Sequence, residues 1–255
     1  MPRPGCGTAA AIRFSPLLPD RLPALDHVGK VILRTPGLTH FYPLDSTFGP
    51  DDAVGHLNGV NHCVTFTEDG AVFDGRSHIS IPDNDDFSVT TTGHLSVIAF
   101  LTIDDWRGSR PHSTQYVHWL GKGKRSWHEW VFRHYVRGAS GEAAQRQGRT
   151  SFYYFNPEGG LGSGSYFQDL QLTSQRFIVG TVNMRRIAIW KNGVKQDEDP
   201  LSGFQVTPEN TPSDVRIGSL GDESGSLIGR IRNLAFFDRE LTPAQVDAIY
   251  NATVN

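Results

Sequence analysis

Arg186-Ile187-Ala188-Ile189-Trp190-Lys191-Asn192-Gly193-Val194-Lys195-Gln196 is the stretch from which the fold is read. Ile187 and Ile189 alternate with their neighbours at a period of two, the spacing of a strand with one buried face. Asn192-Gly193 then breaks the run. A two-residue hairpin turn needs positive φ at both positions, and Asn-Gly supplies it at little steric cost. The segment is therefore expected to be a β-hairpin.

Working outward, the same period recurs on both sides. His78-Ile79-Ser80-Ile81-Pro82 and Leu95-Ser96-Val97-Ile98-Ala99-Phe100-Leu101 alternate upstream, and Val215-Arg216-Ile217-Gly218 and Gly229 to Phe237 follow downstream. In Trp127 to Arg137 the period sets Trp130, Phe132, His134 and Val136 on one face. Glu129, Val131, Arg133, Tyr135 and Arg137 fall on the other. Many short strands separated by turn residues predict an all-β, two-sheet antiparallel sandwich rather than a small barrel. Phe73, Ile79, Ile81, Val97, Ala99, Ile187, Ile189, Ile217, Ile231 and Leu234 are the expected core.

Helical spacing is confined to the ends. Leu22, Leu25, Val28, Ile32 and Leu33 recur at three to four residues before Pro36 stops the run. Leu241 to Tyr250 reads as a closing helix with Thr242 as N-cap and Pro243 in its first turn. Residues 1–37 are read as an arm and short helix, and 38–255 as the sandwich.

Composition agrees. The 255 residues include 27 glycines and 11% aromatics, with 38% hydrophobic and 20% charged residues, values too apolar for a disordered chain. No run reaches the roughly eighteen apolar residues of a membrane-spanning helix, so no membrane insertion is expected. A net charge of −3 argues against nucleic acid as partner, because phosphate binding needs a basic surface. Pro2, Pro4, Gly5 and Gly7 interrupt any signal-peptide core. The two cysteines, Cys6 and Cys63, are expected as free thiols.

Four blocks carry a resemblance. They are Leu25-Asp26-His27-Val28 with His40-Phe41-Tyr42-Pro43-Leu44-Asp45, then Ala71 to Pro82, Ile187 to Val194, and Val215 to Gly218 with Gly229 to Thr242. In that order they resemble the laminin-G-like, concanavalin A-like lectin/glucanase domains, which implies a jelly-roll sandwich. Gly159 to Asp169, with Tyr116 to Gly123, is similar to laminin-G-like proteins in the tails of phages infecting actinobacteria. That likeness implies a virion protein, a minor tail or tail-tip component, with an extracellular protein as the alternative. Its partners would be a cell-surface glycan and, through the N-terminal arm, other virion proteins, with homo-oligomers in the assembly.

The fold hosts lectins, glycosidases and lyases alike, so function rests on the site. Retaining glycosidases need two carboxylates about 5–5.5 Å apart, and no E-x-D-x-E type run occurs. Asp197-Glu198-Asp199-Pro200 reads as a solvated loop. Lyases of this fold use a Tyr or His base with Arg and Gln or Asn neutralising a uronate, roles for which Tyr166, Gln168, His128, Arg133 and Tyr135 are candidates by type, but the lyase strand motifs are missing. A non-enzymatic binding module is therefore expected, with a secreted carbohydrate-active enzyme as the alternative. Sugar recognition pairs exposed aromatic faces with hydrogen-bonding side chains. Trp106, Arg133, Tyr135, Tyr166 and Gln168 form the expected ligand-binding set, with Trp106 and Tyr166 as its exposed aromatics. Calcium is the expected ion, held by Asp45, Asp51, Asp52 and Asp222, since hard cations want several oxygens.

Overall fold

A computed structural model describes residues 21–107, 116–124, 127–136, 145–156, 162–169, 173–220 and 225–253. Strands are numbered in chain order. The first sheet runs β13 (Val194–Pro200), β12 (Arg186–Lys191), β11 (Arg176–Asn183), β6 (His94–Asp105), β15 (Ile228–Phe237), β4 (Gly70–Asp74) and β3 (Thr65–Thr67). β1 (Leu38–Tyr42) pairs with the far end of β15. The second runs β10 (Gly162–Gln168), β9 (Arg149–Phe155), β8 (Trp127–Tyr135), β7 (Tyr116–Lys124), β14 (Val215–Ile217), β5 (His78–Ile81) and β2 (Val60–His62). All these strand pairs are antiparallel.

The predicted hairpin is present. Lys191 pairs with Val194 across Asn192 (φ 50°) and Gly193 (φ 84°), the conformation that selected this dipeptide. Every residue of the expected core is buried between the sheets. Each aliphatic side chain so placed contributes roughly 1.5–3 kcal/mol. The sheets meet tightly at Gly180, where a Cβ would lie 2.4 Å from the Phe132 ring and 2.6 Å from Phe152.

The outer face of the first sheet is covered. Helix α1 (His27–Arg34) is capped by Asp26, whose carboxylate accepts from the Gly29 N–H at 2.6 Å. In chain order the short α2 (Val89–Thr92) comes between α1 and the closing helix, with Val89 in the core between the sheets. Helix α3 (Pro243–Asn251) opens with a reciprocal Thr242–Gln245 capping box, as its sequence predicts. Val28 and Ile32 of α1, with Val246 and Ile249 of α3, pack on Phe100 and Trp190 of that sheet. Trp190 is thus buried beneath the helices rather than between the sheets. Among the described residues, no helix is long and apolar enough to cross a membrane.

Candidate functional site

The second sheet presents its outward positions differently. Alternation directs Phe132, Phe152 and Phe167 inward to the core. On the other face stand Tyr116 and His118 of β7, Arg133 and Tyr135 of β8, Arg149 and Tyr153 of β9, and Tyr166 and Gln168 of β10. Four of the five residues expected to bind ligand therefore share one face.

Arg133 is the centre of this group. Its guanidinium carbon lies 4.0 Å from the Tyr153 ring centroid, 4.7 Å from Tyr116 and 5.4 Å from Tyr135. One terminal nitrogen donates to the Tyr135 hydroxyl at 3.3 Å, while its buried Nε has no partner among the described residues. Only 9% of Arg133 and 3% of Tyr135 are exposed, so they form a floor. His118 belongs to it, with its ring 5.0 Å from Tyr116 and 5.5 Å from His128, and its Nε2 buried without a partner. Burial, reinforced by the positive charge of Arg133, holds the His118 imidazole well below the usual histidine range.

The rim lies toward β10. Tyr166 is 39% exposed, with the Arg149 guanidinium 3.7 Å from its ring centroid. Cation–aromatic contacts of this kind hold a flat ring in one orientation. Gln168 is exposed and donates to the Gln147 carbonyl at 3.0 Å. Two glycines make space for the aromatics. A Cβ on Gly164 would meet the Tyr153 ring at 2.4 Å, and one on Gly162 the Phe155 ring at 2.7 Å. Tyr153 and Phe155 lie within 22° of parallel, centroids 5.7 Å apart. The face continues across β14 and β5 to β2, where Arg216, His78 and His62 stand outward. His62 and His78 stack at 4.2 Å, and burial, with His62 and Arg216 adding to it, lowers His78 to about 4.

Trp106 does not join this face. It is 1% exposed and packs edge-on against His134 at 5.0 Å, because the chain turns its ring inward at the end of β6. The expected exposure of Trp106 is therefore corrected.

In the acidic loop the carboxylates accept from nearby backbone and side-chain donors. Asp45 accepts from the backbone N–H groups of Thr47 and Phe48, and Asp51 pairs with Arg21 at 3.0 Å. Asp52 is buried and accepts from the N–H groups of Phe41, Val54, Gly55 and Leu57, with His40 Nδ1 at 2.7 Å. Its oxygens organise their own loop. Asp222 lies outside the described residues, and among those described no three acidic, histidine or cysteine groups are placed to hold a metal ion.

Other expectations change too. Cys63 is disulfide-bonded rather than a free thiol, while Cys6 and the rest of the arm through residue 20 lie outside the described residues. Asp197 and Asp199 lie in strand β13, not a loop. Asp197 accepts from the Tyr166 N–H at 3.1 Å, and Asp199 from Ser165 Oγ at 3.3 Å, joining the sheet edges. Burial and then Asp197 raise the Asp199 carboxyl.

Glu129, expected outward with Arg133, faces inward. A register shift between Lys122 and Gly123 against β8 inserts an extra residue and reverses it. Its carboxylate accepts from Lys122 Nζ at 2.9 Å, Tyr154 Oη at 2.9 Å and the Thr211 N–H at 3.1 Å. This buried polar cluster has no local sequence signature. His118, Tyr116, Tyr153 and Arg149 could have been found from one, because each repeats at period two beside Arg133, Tyr135 and Tyr166.

No protein-family model matches the sequence, and no curated protein matches it. Solved structures do share its fold. The receptor-binding domain of botulinum neurotoxin C/D mosaic serotype superposes with a TM-score of 0.61 at 13% identity, over 86% of this chain and 52% of that one. The botulinum neurotoxin serotype D ligand-binding domain, solved with N-acetylneuraminic acid, gives 0.62 at 12% identity, over 86% and 51%. Domain 4 of the extracellular arabinanase AbnA from Geobacillus stearothermophilus, solved with arabinotriose, gives 0.60 at 17% identity, over 84% and 98%. The chain spans about half the length of the neurotoxin domains it matches. At these identities the likeness shows the jelly-roll sandwich alone.

Proposed function

We propose that this chain is a non-enzymatic glycan-binding module, taking its ligand along the outward face of β7 to β10. The observation that carries this reading is the combination on one face of aromatic rings and hydrogen-bonding cations. Tyr153 lies over Gly164, Tyr166 stands at the rim, and Arg133 and Arg149 sit against their faces. A pyranose offers C–H patches and hydroxyls together, which such a surface matches. The sugar ligands in the neurotoxin and arabinanase structures support the same class. Retaining hydrolysis would need two carboxylates on this face, and none occupies an outward position of β7 to β10.

Retention on immobilised cell-surface polysaccharides tests the reading. The native protein should be retained, and Tyr153→Ala combined with Tyr166→Ala should lose about tenfold in affinity while circular dichroism shows the β-sheet fold retained, since such contacts contribute about 0.5–1.5 kcal/mol each. Retention by no glycan would overturn it. So would release of reducing sugars that a single Asp or Glu substitution abolishes.

The setting proposed for this module is a phage tail, with residues 1–20 docking it to a neighbouring virion protein. The support is the sequence resemblance together with Pro2, Pro4, Pro16 and Pro19, residues that lower the entropy lost when such a segment is fixed against a partner. The Cys63 disulfide favours the extracellular alternative, because disulfides persist in oxidising surroundings. Deletion of residues 2–19 from a phage carrying the gene decides between them, with loss of incorporation expected for the tail protein.

A further inference from the structure

The charge of the face narrows the ligand class, an inference that rests on the glycan-binding reading. The chain as a whole carries a net charge of −3. Its second sheet departs from that balance. Outward positions hold three cations, Arg133, Arg149 and Arg216, beside the neutral imidazoles of His78 and His118, and no Asp or Glu occupies any outward position of these seven strands. Asp197, on the adjoining edge strand β13, accepts from the backbone N–H groups of Tyr166 and Glu198.

Arg133 and Arg149 form no ion pair among the described residues, whereas Arg21, Arg176, Arg186 and Arg232 each have a carboxylate partner. Both unpaired guanidinium groups lie instead against tyrosine faces, and each has a buried Nε with no partner. Burying a cation without a counter-charge is costly, and aromatic faces return only part of that cost. His118, 5% exposed, adds a second unpartnered nitrogen beside Arg133. A site that keeps donors buried, cationic and unsatisfied is complementary to an anion.

We propose that the ligand is an acidic glycan, whose carboxylate or sulfate is received by Arg133 and whose ring packs along the outward edge of Tyr153, with Arg149 and Tyr166 taking the next residue along β10. Carboxylated and sulfated sugars share this chemistry. A neutral sugar would leave the guanidinium donors uncompensated.

The experiment is calorimetric titration of the full chain with polygalacturonate oligosaccharides, their methyl esters, a sialylated oligosaccharide, a sulfated chondroitin oligosaccharide and a neutral arabinan oligosaccharide. At least one acidic ligand should bind tenfold or more tightly than every neutral one. That preference should shrink as salt rises from 50 to 300 mM. Arg133→Gln should remove the preference, and Arg149→Gln, nearer the rim, should reduce it several-fold. Thermal unfolding of each variant guards against misfolding, and the Arg149 variant serves if the Arg133 variant does not fold. The arms separate uronate, sialate and sulfate. Neutral and acidic oligosaccharides bound equally would overturn this proposal while leaving glycan binding intact. Acidic binding untouched by both substitutions would overturn the assignment to Arg133 and Arg149. Binding of none would overturn the glycan reading itself.

Discussion

Lys122 and Glu129 form an ion pair of 2.9 Å with both side chains withdrawn from solvent. The ammonium also donates to Ser88 Oγ at 3.0 Å, Asn210 Oδ1 at 2.9 Å and the Thr211 carbonyl at 2.6 Å. Asp83, partly exposed, lies 3.0 Å from it. The pair thus ties β7 and β8 to two loops.

Removing one partner leaves the other charge buried without compensation. Glu129→Gln or Lys122→Met should each destabilise by about 3–5 kcal/mol. The double variant should cost clearly less than the sum, with a coupling of at least about 2 kcal/mol in urea unfolding. Additive losses would show that the two side chains act independently.

Asp52 should govern acid stability. Burial pushes its carboxyl up, but the His40 contact and the backbone N–H groups outweigh this and hold it below the usual carboxylate range. A group depressed in the folded state contributes stability above its unfolded pKa, and that contribution is lost as pH falls through the folded value. Asp52→Asn should flatten the loss of stability below about pH 4. Asp52→Ala, which strands Phe41, Val54, Gly55 and Leu57 N–H groups, should cost about 3–5 kcal/mol at pH 7. An unchanged unfolding midpoint at neutral pH in the alanine variant would contradict the role.

His134 sets a second pH window. Burial lowers its imidazole to about 3. The unfolded chain therefore protonates it near pH 6.5 while the folded chain keeps it neutral, so its stabilising contribution is full above that value and declines as pH falls toward 3. Each pH unit in the window removes up to about 1.4 kcal/mol. His134→Leu should show a shallower decline between pH 6.5 and 4 in denaturant midpoints. Equal slopes in the two proteins would mean that His134 does not stay neutral.

Gly180 sets how closely the sheets approach. Phe132 and Phe152 stack at 4.3 Å, and Gly180 faces them. Gly180→Ala should overpack this contact and cost about 1–3 kcal/mol, seen as a lower Tm. Gly203→Ala, whose Cβ would meet only Pro200 at 3.5 Å, is the control and should be close to neutral. Equal effects would place the constraint elsewhere.

Sequence by itself determined the sandwich and its inner face. Ile79 and Ile81, Ile187 and Ile189, and Asn192-Gly193 act through local geometry, the two-residue period of a strand and the φ values of one turn. The same period brought Arg133, Tyr135, Tyr166 and Gln168 to one face, since regular alternation carries over from strand to strand. Only tertiary structure decided the exceptions. Glu129 turns inward because a bulge is a mismatch between two strands, and its partner Thr211 comes from a distant loop. Trp106 is buried because His134 of another sheet offers it an edge, and Asp52 spends its oxygens on N–H groups that the loop's own path presents. The cationic character of the outward face belongs to the same class. A residue's side of a strand follows from its neighbours in sequence, but whether a charge finds a counter-charge depends on every strand that lies beside it.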